Sequence, residues 1–221
     1  EHKHLFAKNL GPMTGEMGTL MFWSKANKIF RSTLAKMGPD LKKSKYIGYI
    51  DLNCIVNEDG IFPLEFTSRF GYPTIQIQLS GILDKAGEWL FKLARGDKFR
   101  LSTKRGFQVG VVVATPPLLS EGDDAEIVKI FRDISISFKN GKESRNFHIG
   151  DIKKDAGGIW RIAGASGWCL VVTGTGTTVH RARAKVYEEI KNIRIPSMFY
   201  RNDIGSRWSV ESKKLRSWGY I

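Results

Sequence analysis

The chain has 221 residues, 42% apolar and 26% charged, enough to bury a core in one large domain or two small ones and too ordinary for wholesale disorder. Its 35 Lys and Arg against 22 Asp and Glu give a formal charge of +13, which admits nucleic acid or small polyphosphates as partners. No apolar run approaches the ~18 residues of a membrane span. The two cysteines, Cys54 and Cys169, are too few for a secreted disulfide framework and read as buried thiols of a cytoplasmic protein.

The chain opens Glu1-His2-Lys3-His4, with neither an initiator Met nor a basic-then-apolar leader, which points to a truncated start and not to a signal peptide. His2 and His4 have no zinc-like spacing to other ligands, and a solvated terminus is the simpler reading. Gly11-Pro12-Met13-Thr14-Gly15-Glu16-Met17-Gly18 reads as a glycine-dense loop whose backbone N–H groups suit an anion. No Gly-Lys-Ser/Thr follows, so it is not a Walker A loop, and an ordinary surface loop fits it too.

Apolar residues at Ala26, Ile29, Phe30, Leu34 and Met37 predict an amphipathic helix over 25–37, stopped by Gly38-Pro39 and packed on a sheet. Residues 46–56 and 61–67 then read as two strands around the turn Asn57-Glu58-Asp59-Gly60. Alternation puts Tyr46, Ile50, Leu52, Cys54 and Val56 on one face of the first strand and Asp51 and Asn53 on the other. In the second strand, Phe62, Leu64 and Phe66 oppose Pro63, Glu65 and Thr67. Aligning the two oily faces sets Asp51 or Asn53 directly across from Glu65, close enough for their oxygens to converge on one cation.

Magnesium takes oxygen ligands and only one or two protein carboxylates, so Asp51, Asn53, Glu65 and Thr67 form a candidate metal site. The same four residues also suit the wet face of an antiparallel sheet. Arg69 follows at the strand's end, before Gly71 and Pro73 turn the chain, where it can grip a phosphate or carboxylate or serve as a surface ion-pair partner. From Gln76 to about Arg95, apolar residues at helical spacing predict a helix closed by Gly96.

A basic linker from Asp97 to Gly106 then leads into β-rich sequence, and a domain boundary is expected near residue 103. Strands are predicted at about 107–115, 132–138, 144–149, 158–163 and 168–174, followed by one helix over 178–192. Gly174-Thr175-Gly176-Thr177-Thr178 reads as a turn with a Thr N-cap, because its spacing is wrong for a dinucleotide fingerprint. His148 and His180 lack the partners of a Ser-His-Asp or Cys-His set, so covalent catalysis is not indicated. The Lys and Arg residues are scattered, without the interleaved aromatics of common RNA-binding modules, which points away from nucleic acid.

Four segments resemble the C-terminal half of the phosphoribosylamine–glycine ligase family, ATP-grasp enzymes of purine biosynthesis. They are Glu1-His2-Lys3, the Gly11–Gly18 loop, Leu64–Gln78, and the tail from Val171-Val172-Thr173-Gly174 to Tyr200-Arg201-Asn202-Asp203-Ile204-Gly205-Ser206-Arg207, in family order. The resemblance implies an α+β fold, with residues 1–103 as the C-terminal part of an ATP-grasp domain and 104–221 as a small β-rich domain with one helix. It implies a ligase that uses ATP and Mg2+ or Mn2+ to join glycine to 5-phosphoribosylamine, with its N-terminal half outside this chain. On that likeness Glu65 is a magnesium ligand, Arg69 and Gly71 belong to the substrate-side turn, and Thr14, Gly15 and Gly18 line the substrate pocket.

The chain departs from the family pattern at Thr67, where Asn is usual, at Tyr72 and Thr74, where acidic residues are usual, and at Met13 and Glu16, where Asn and Gly are usual. Thr67 is a poorer magnesium ligand than Asn, so Asp51 or Asn53 is expected to supply part of the coordination. The changes at Tyr72 and Thr74 leave an ATP-grasp ligase for a different amine or acid as an alternative. A non-enzymatic basic module that binds nucleic acid is the alternative from another class.

Overall fold

The computed structural model describes residues 1–116, 118, 125–141, 143–164 and 166–221. In chain order its strands are β1 (His2–Phe6), β2 (Leu10–Phe22), β3 (Asp51–Val56), β4 (Ile61–Thr67), β5 (Phe107–Ala114), β6 (Ser135–Phe138), β7 (Phe147–Ile149), β8 (Ile152–Lys154), β9 (Trp160–Ile162), β10 (Trp168–Gly176) and β11 (Ile193–Arg194). The α-helices are α1 (Lys28–Ser32), α2 (Gly38–Lys43), α3 (Thr74–Gly81), α4 (Ala86–Arg95), α5 (Ala125–Phe131), α6 (Val179–Ile190) and α7 (Trp208–Ser217). Two compact units are each assembled from separated stretches. One holds Glu1–Met21, Tyr72–Ser80 and Gly106–Gly205, and the other Phe22–Gly71, Gly81–Arg105 and Ser206–Ile221. None of the described helices is long and apolar enough to cross a membrane.

The first unit is built on a five-stranded sheet of order β1-β2-β5-β10-β7, with a four-stranded sheet of order β11-β6-β9-β8. The run Val-Gly-Val-Val-Val-Ala in β5 is apolar at both parities because both of its faces are covered. Val109, Val111 and Val113 enter a core with Leu170, Val172 and the α6 stripe Ala182, Val186 and Ile190. Val112 and Ala114 pack on the other side with Leu5, Met17 and Val171. Helix α6 is capped by the Thr178 side chain, which accepts the Arg181 N–H at 3.2 Å.

The Thr N-cap expected at 178 is therefore present, but the turn expected before it is strand: β10 runs to Gly176 directly beneath α6. A Cβ on Gly174 would lie 2.5 Å from the Ala182 carbonyl oxygen and 2.7 Å from the Val186 nitrogen, both rigid backbone. Gly174→Ala is expected to lower stability by about 1–3 kcal/mol, since α6 must lift off the sheet. A thermal melt unchanged from wild type would refute that close approach.

In the second unit β3 and β4 form a two-stranded antiparallel hairpin. Tyr49, Phe70 and Trp89 make an aromatic row, with ring centroids 4.4 Å and 5.9 Å apart, that anchors α4 through the buried Trp89. Phe22 meets Trp208 of α7 at 5.1 Å. Gly96, at φ 71°, closes α4 in the left-handed conformation expected of a glycine cap.

Several sequence expectations are corrected. The loop expected over Gly11–Gly18 is the first part of the 13-residue strand β2. The helix over 25–37 is a short α1 and a 3-10 turn, and Gly38-Pro39 starts α2 instead of stopping a helix, because proline is at home in a first helical turn. The helix over 76–95 breaks between α3 and α4, where Leu83 N–H donates to the Ser102 carbonyl and the Ser102 N–H to Asp84 Oδ2. Residues 104–221 carry α5, α6 and α7, not one helix. Cys169 is buried, but Cys54 is only half-buried.

Candidate functional site

The hairpin in the second unit carries the four oxygen-bearing residues singled out in the sequence. Asp51 pairs with Thr67 and Asn53 with Glu65, so all four side chains share one face of the ribbon. Asn53 Nδ2 donates to Glu65 Oε1 at 3.3 Å, and the Tyr49 hydroxyl donates to Asp51 Oδ2 at the same distance. The other Asp51 oxygen, Oδ1, is buried with no hydrogen-bond partner. An acceptor left bare in this way suits a cation, and carboxylate, amide and hydroxyl oxygens are the ligand type that magnesium takes.

The register slips between Asn53 and Cys54, where Cys54 pairs with Pro63. Leu64 is thus the extra residue of a bulge, next to a proline that has no N–H for the ladder. The expected alignment of Leu52, Cys54 and Val56 with Phe62, Leu64 and Phe66 therefore holds only at the Leu52–Phe66 end. Nor are the apolar residues of β4 buried: Phe62, Leu64 and Phe66 are 46%, 61% and 49% exposed. Arg69 is exposed, and its guanidinium donates to the neighbouring Phe70 carbonyl at 3.2 Å. Gly71 follows, half-buried.

Strand β2 of the first unit holds the other predicted residues. The Thr14 hydroxyl donates to the Lys3 carbonyl at 2.6 Å, which ties β2 to β1. Gly15 is exposed, and a Cβ there would meet nothing within 4 Å. Gly18, at φ +152°, is a close-approach glycine: a Cβ would lie 2.5 Å from the Gly110 carbonyl oxygen. His2 and His4 are engaged structurally. His2 Nε2 accepts the Gly205 N–H at 3.1 Å, and His4 Nδ1 lies 2.9 Å from the Gly11 carbonyl oxygen. Among the described residues no group of three or more His, Cys, Asp and Glu is placed to hold a metal.

Sequence reasoning noted Glu16 and Tyr72 only as departures from a family pattern, and the structure gives both a setting. Glu16 is 5% exposed with Oε1 unpartnered. Burial first, then the charge of Glu1, push its carboxyl from the ordinary 4.5 to about 8, against opposing pulls from the α-amino group and Lys3. Tyr72 lies edge-on to Trp168, with centroids 5.6 Å apart, at the rim of a cleft that also includes Asp151. Only nonlocal pairing shows these placements.

Residues 124–207 match the family model described as phosphoribosylglycinamide synthetase, C domain. The chain is 27% identical over 94% of its length to the phosphoribosylamine–glycine ligase of Lactococcus lactis, and 28% identical over 97% to that of Brucella melitensis. These matches cover 49% and 50% of those proteins, so the chain spans about half the length of the curated relatives it matches. The crystal structure of phosphoribosylamine–glycine ligase from Thermotoga maritima superposes with a TM-score of 0.72 at 23% identity, covering 93% of this chain and 50% of that one. The biotin carboxylase domain of a thermophilic 2-oxoglutarate carboxylase gives 0.54 at 10% identity, covering 84% of this chain and 41% of that one. The fold is that of the matching half of these solved enzymes, and the chain is related in sequence to phosphoribosylamine–glycine ligases over nearly its whole length.

Proposed function

We propose that this chain forms the C-terminal part of an ATP-dependent carboxylate–amine ligase that joins glycine to 5-phosphoribosylamine. The observation that carries the reading is the likeness to enzymes of that name along 94% of the chain. In such a reaction a glycine carboxylate oxygen attacks the terminal phosphorus of ATP, and ADP leaves as glycyl phosphate forms. The amine then attacks the acyl carbon of the glycyl phosphate, forming the C–N bond as phosphate leaves. The other half of the enzyme supplies the N-terminal lobe that grips ATP. The boundary near residue 103 and a cytoplasmic location belong to the same reading.

Glu65, with Asp51, Asn53 and Thr67 beside it, is the proposed holder of Mg2+ or Mn2+. An ion held by these residues would supply charge neutralisation at the nucleotide phosphates. The bare Asp51 Oδ1 supports a share of the ligation for Asp51, in place of the Asn that Thr67 replaces. Arg69 is exposed and able to engage a phosphate or carboxylate with two parallel hydrogen bonds. The open backbone at Gly15 gives room for a substrate beside β2, while Thr14 and Gly18 keep that strand in register. An excess charge of +13 draws anionic substrates toward the protein.

Titration of the chain with Mn2+, followed by the loss of its solution EPR signal, is expected to saturate. Glu65→Ala and Asp51→Ala should each weaken binding about tenfold or more. Unchanged affinity in Asp51→Ala would remove that residue from the site, and unchanged affinity in both would end the metal assignment.

The chain alone should release no phosphate from ATP in the presence of glycine and phosphoribosylamine. Mixed with the complementary half of the Lactococcus lactis relative, it should release phosphate only when both substrates are present. Turnover by the chain alone would refute the half-enzyme reading. Turnover with another amine only would favour the alternative substrate, and steeply salt-dependent binding to generic duplexes without turnover would favour a nucleic-acid module.

A further inference from the structure

The first unit contains a cleft of about 510 Å3 lined by Tyr72, Gly150, Asp151, Ser166 and Trp168. Its volume lies within the range of small-molecule sites, about 300–1,000 Å3. Two of its walls are aromatic, Tyr72 and Trp168, set edge-to-face at 89°. Trp168 opens β10, and its carbonyl accepts the Asp151 N–H at 2.8 Å, which fixes the carboxylate's backbone beside the indole.

The Asp151 carboxylate is held in place. Oδ2 accepts both the N–H of Ser166, at 2.9 Å, and its hydroxyl, at 2.7 Å. On the other side the carboxylate presses against Gly164, where a Cβ would fall within 2.8 Å of the Asp151 Cγ. In a chain with 35 Lys and Arg, Asp151 nevertheless makes no ion pair among the described residues. The nearby phenol of Tyr72 stays neutral, because burial, then the charges of Cys169 and Asp151, raise its pKa. A fixed carboxylate lining the same cleft as two aromatic rings, with no ion-pair partner among the described residues, matches a cation from outside.

We propose that this cleft binds a small organic cation, a protonated amine carrying an apolar or aromatic body, with Asp151 taking the ammonium and Trp168 and Tyr72 enclosing the apolar part. The assignment concerns binding only and holds whether or not the chain takes part in ligation. If the ligase reading is also right, the cleft is a candidate seat for an amine unlike phosphoribosylamine, which carries an anionic phosphate.

The test is calorimetric titration of the chain, at about 0.15 M salt to suppress diffuse attraction, with 2-phenylethylammonium as probe. Ammonium chloride and 3-phenylpropionate are controls for the apolar body and the sign of charge. Saturable one-to-one binding of 2-phenylethylammonium is expected, with both controls at least about tenfold weaker. Asp151→Asn and Trp168→Ala should each weaken it about tenfold, and Trp168→Phe should restore most of the affinity lost in Trp168→Ala. Thermal melts report folding, and Tyr72→Ala, at the exposed rim, provides a second aromatic variant should Trp168→Ala unfold. No saturable binding, equal binding of 3-phenylpropionate, or undiminished affinity in Asp151→Asn would each overturn the proposal. None of these results depends on ATP turnover, so the cleft and the ligase reading fail separately.

Discussion

Arg201→Ala is expected to lower the unfolding free energy by about 3–5 kcal/mol, the typical penalty for breaking a buried ion pair from one side. Arg201 is 1% exposed, and every arm of its guanidinium is used. Nε and Nη2 grip the two Asp203 oxygens at 2.8 Å each, Nη1 donates to the His4 carbonyl at 2.9 Å, and Nη2 also reaches Asn9 Oδ1 at 3.2 Å. One side chain thereby ties the segment after β11 to β1 and to the turn that follows it. Burial raises the pKa of Asp203, but its hydrogen bonds to Arg201 and the Lys8 N–H, with the charges of Arg201 and His2, outweigh that and hold it at about 2. A depressed carboxyl stabilises the fold above its ordinary 3.8 and loses that contribution as pH falls through 2.

Arg201→Lys keeps the charge without the planar fork and should recover only part of the loss. Because whole domains are stable by only about 5–15 kcal/mol, Arg201→Ala should be partly unfolded well before the wild-type urea midpoint. A loss below about 1 kcal/mol would mean that the pair contributes no more than a surface ion pair.

The contrast between Arg201 and the hairpin shows what the sequence carries and what it hides. Strands β5 and β10 and helix α6 are legible because their apolar runs and the 182–186–190 stripe have the period of the element itself. Strand β2 is not: Gly11, Pro12, Gly15 and Gly18 are turn residues by local propensity, and the ladder to β1 and the Gly18–Gly110 approach decide otherwise. The break before α4 is invisible for the same reason, since partners at Ser102 and Thr103 end α3. Alternation alone places Asp51 or Asn53 across from Glu65, and the ladder selects Asn53, whereas the bulge at Leu64 requires weighing Pro63 against the ladder. The Asp151 cleft had no signal in the sequence, because Tyr72 and Trp168 are far apart in the chain and their meeting is a tertiary event.

Glu16→Gln should raise stability at alkaline pH and leave it nearly unchanged in acid. With its carboxyl raised from 4.5 to about 8, Glu16 holds a proton in the folded chain that the unfolded chain has already released across that interval. Below pH 4.5 both states are protonated and the native contribution is whole; as pH rises through about 8 it is lost. By linkage the loss is on the order of 3–5 kcal/mol if the pocket does not relax, and less if water or a side chain reaches Oε1. Glutamine has nearly the same shape and does not ionise. The difference in unfolding free energy between Glu16→Gln and wild type should therefore be near zero at pH 4, grow between pH 4.5 and 8, and level off above it. Urea denaturation of both proteins at four or five pH values measures that difference directly, with the titration of every other group common to both. A flat difference would mean that Glu16 ionises normally in the fold.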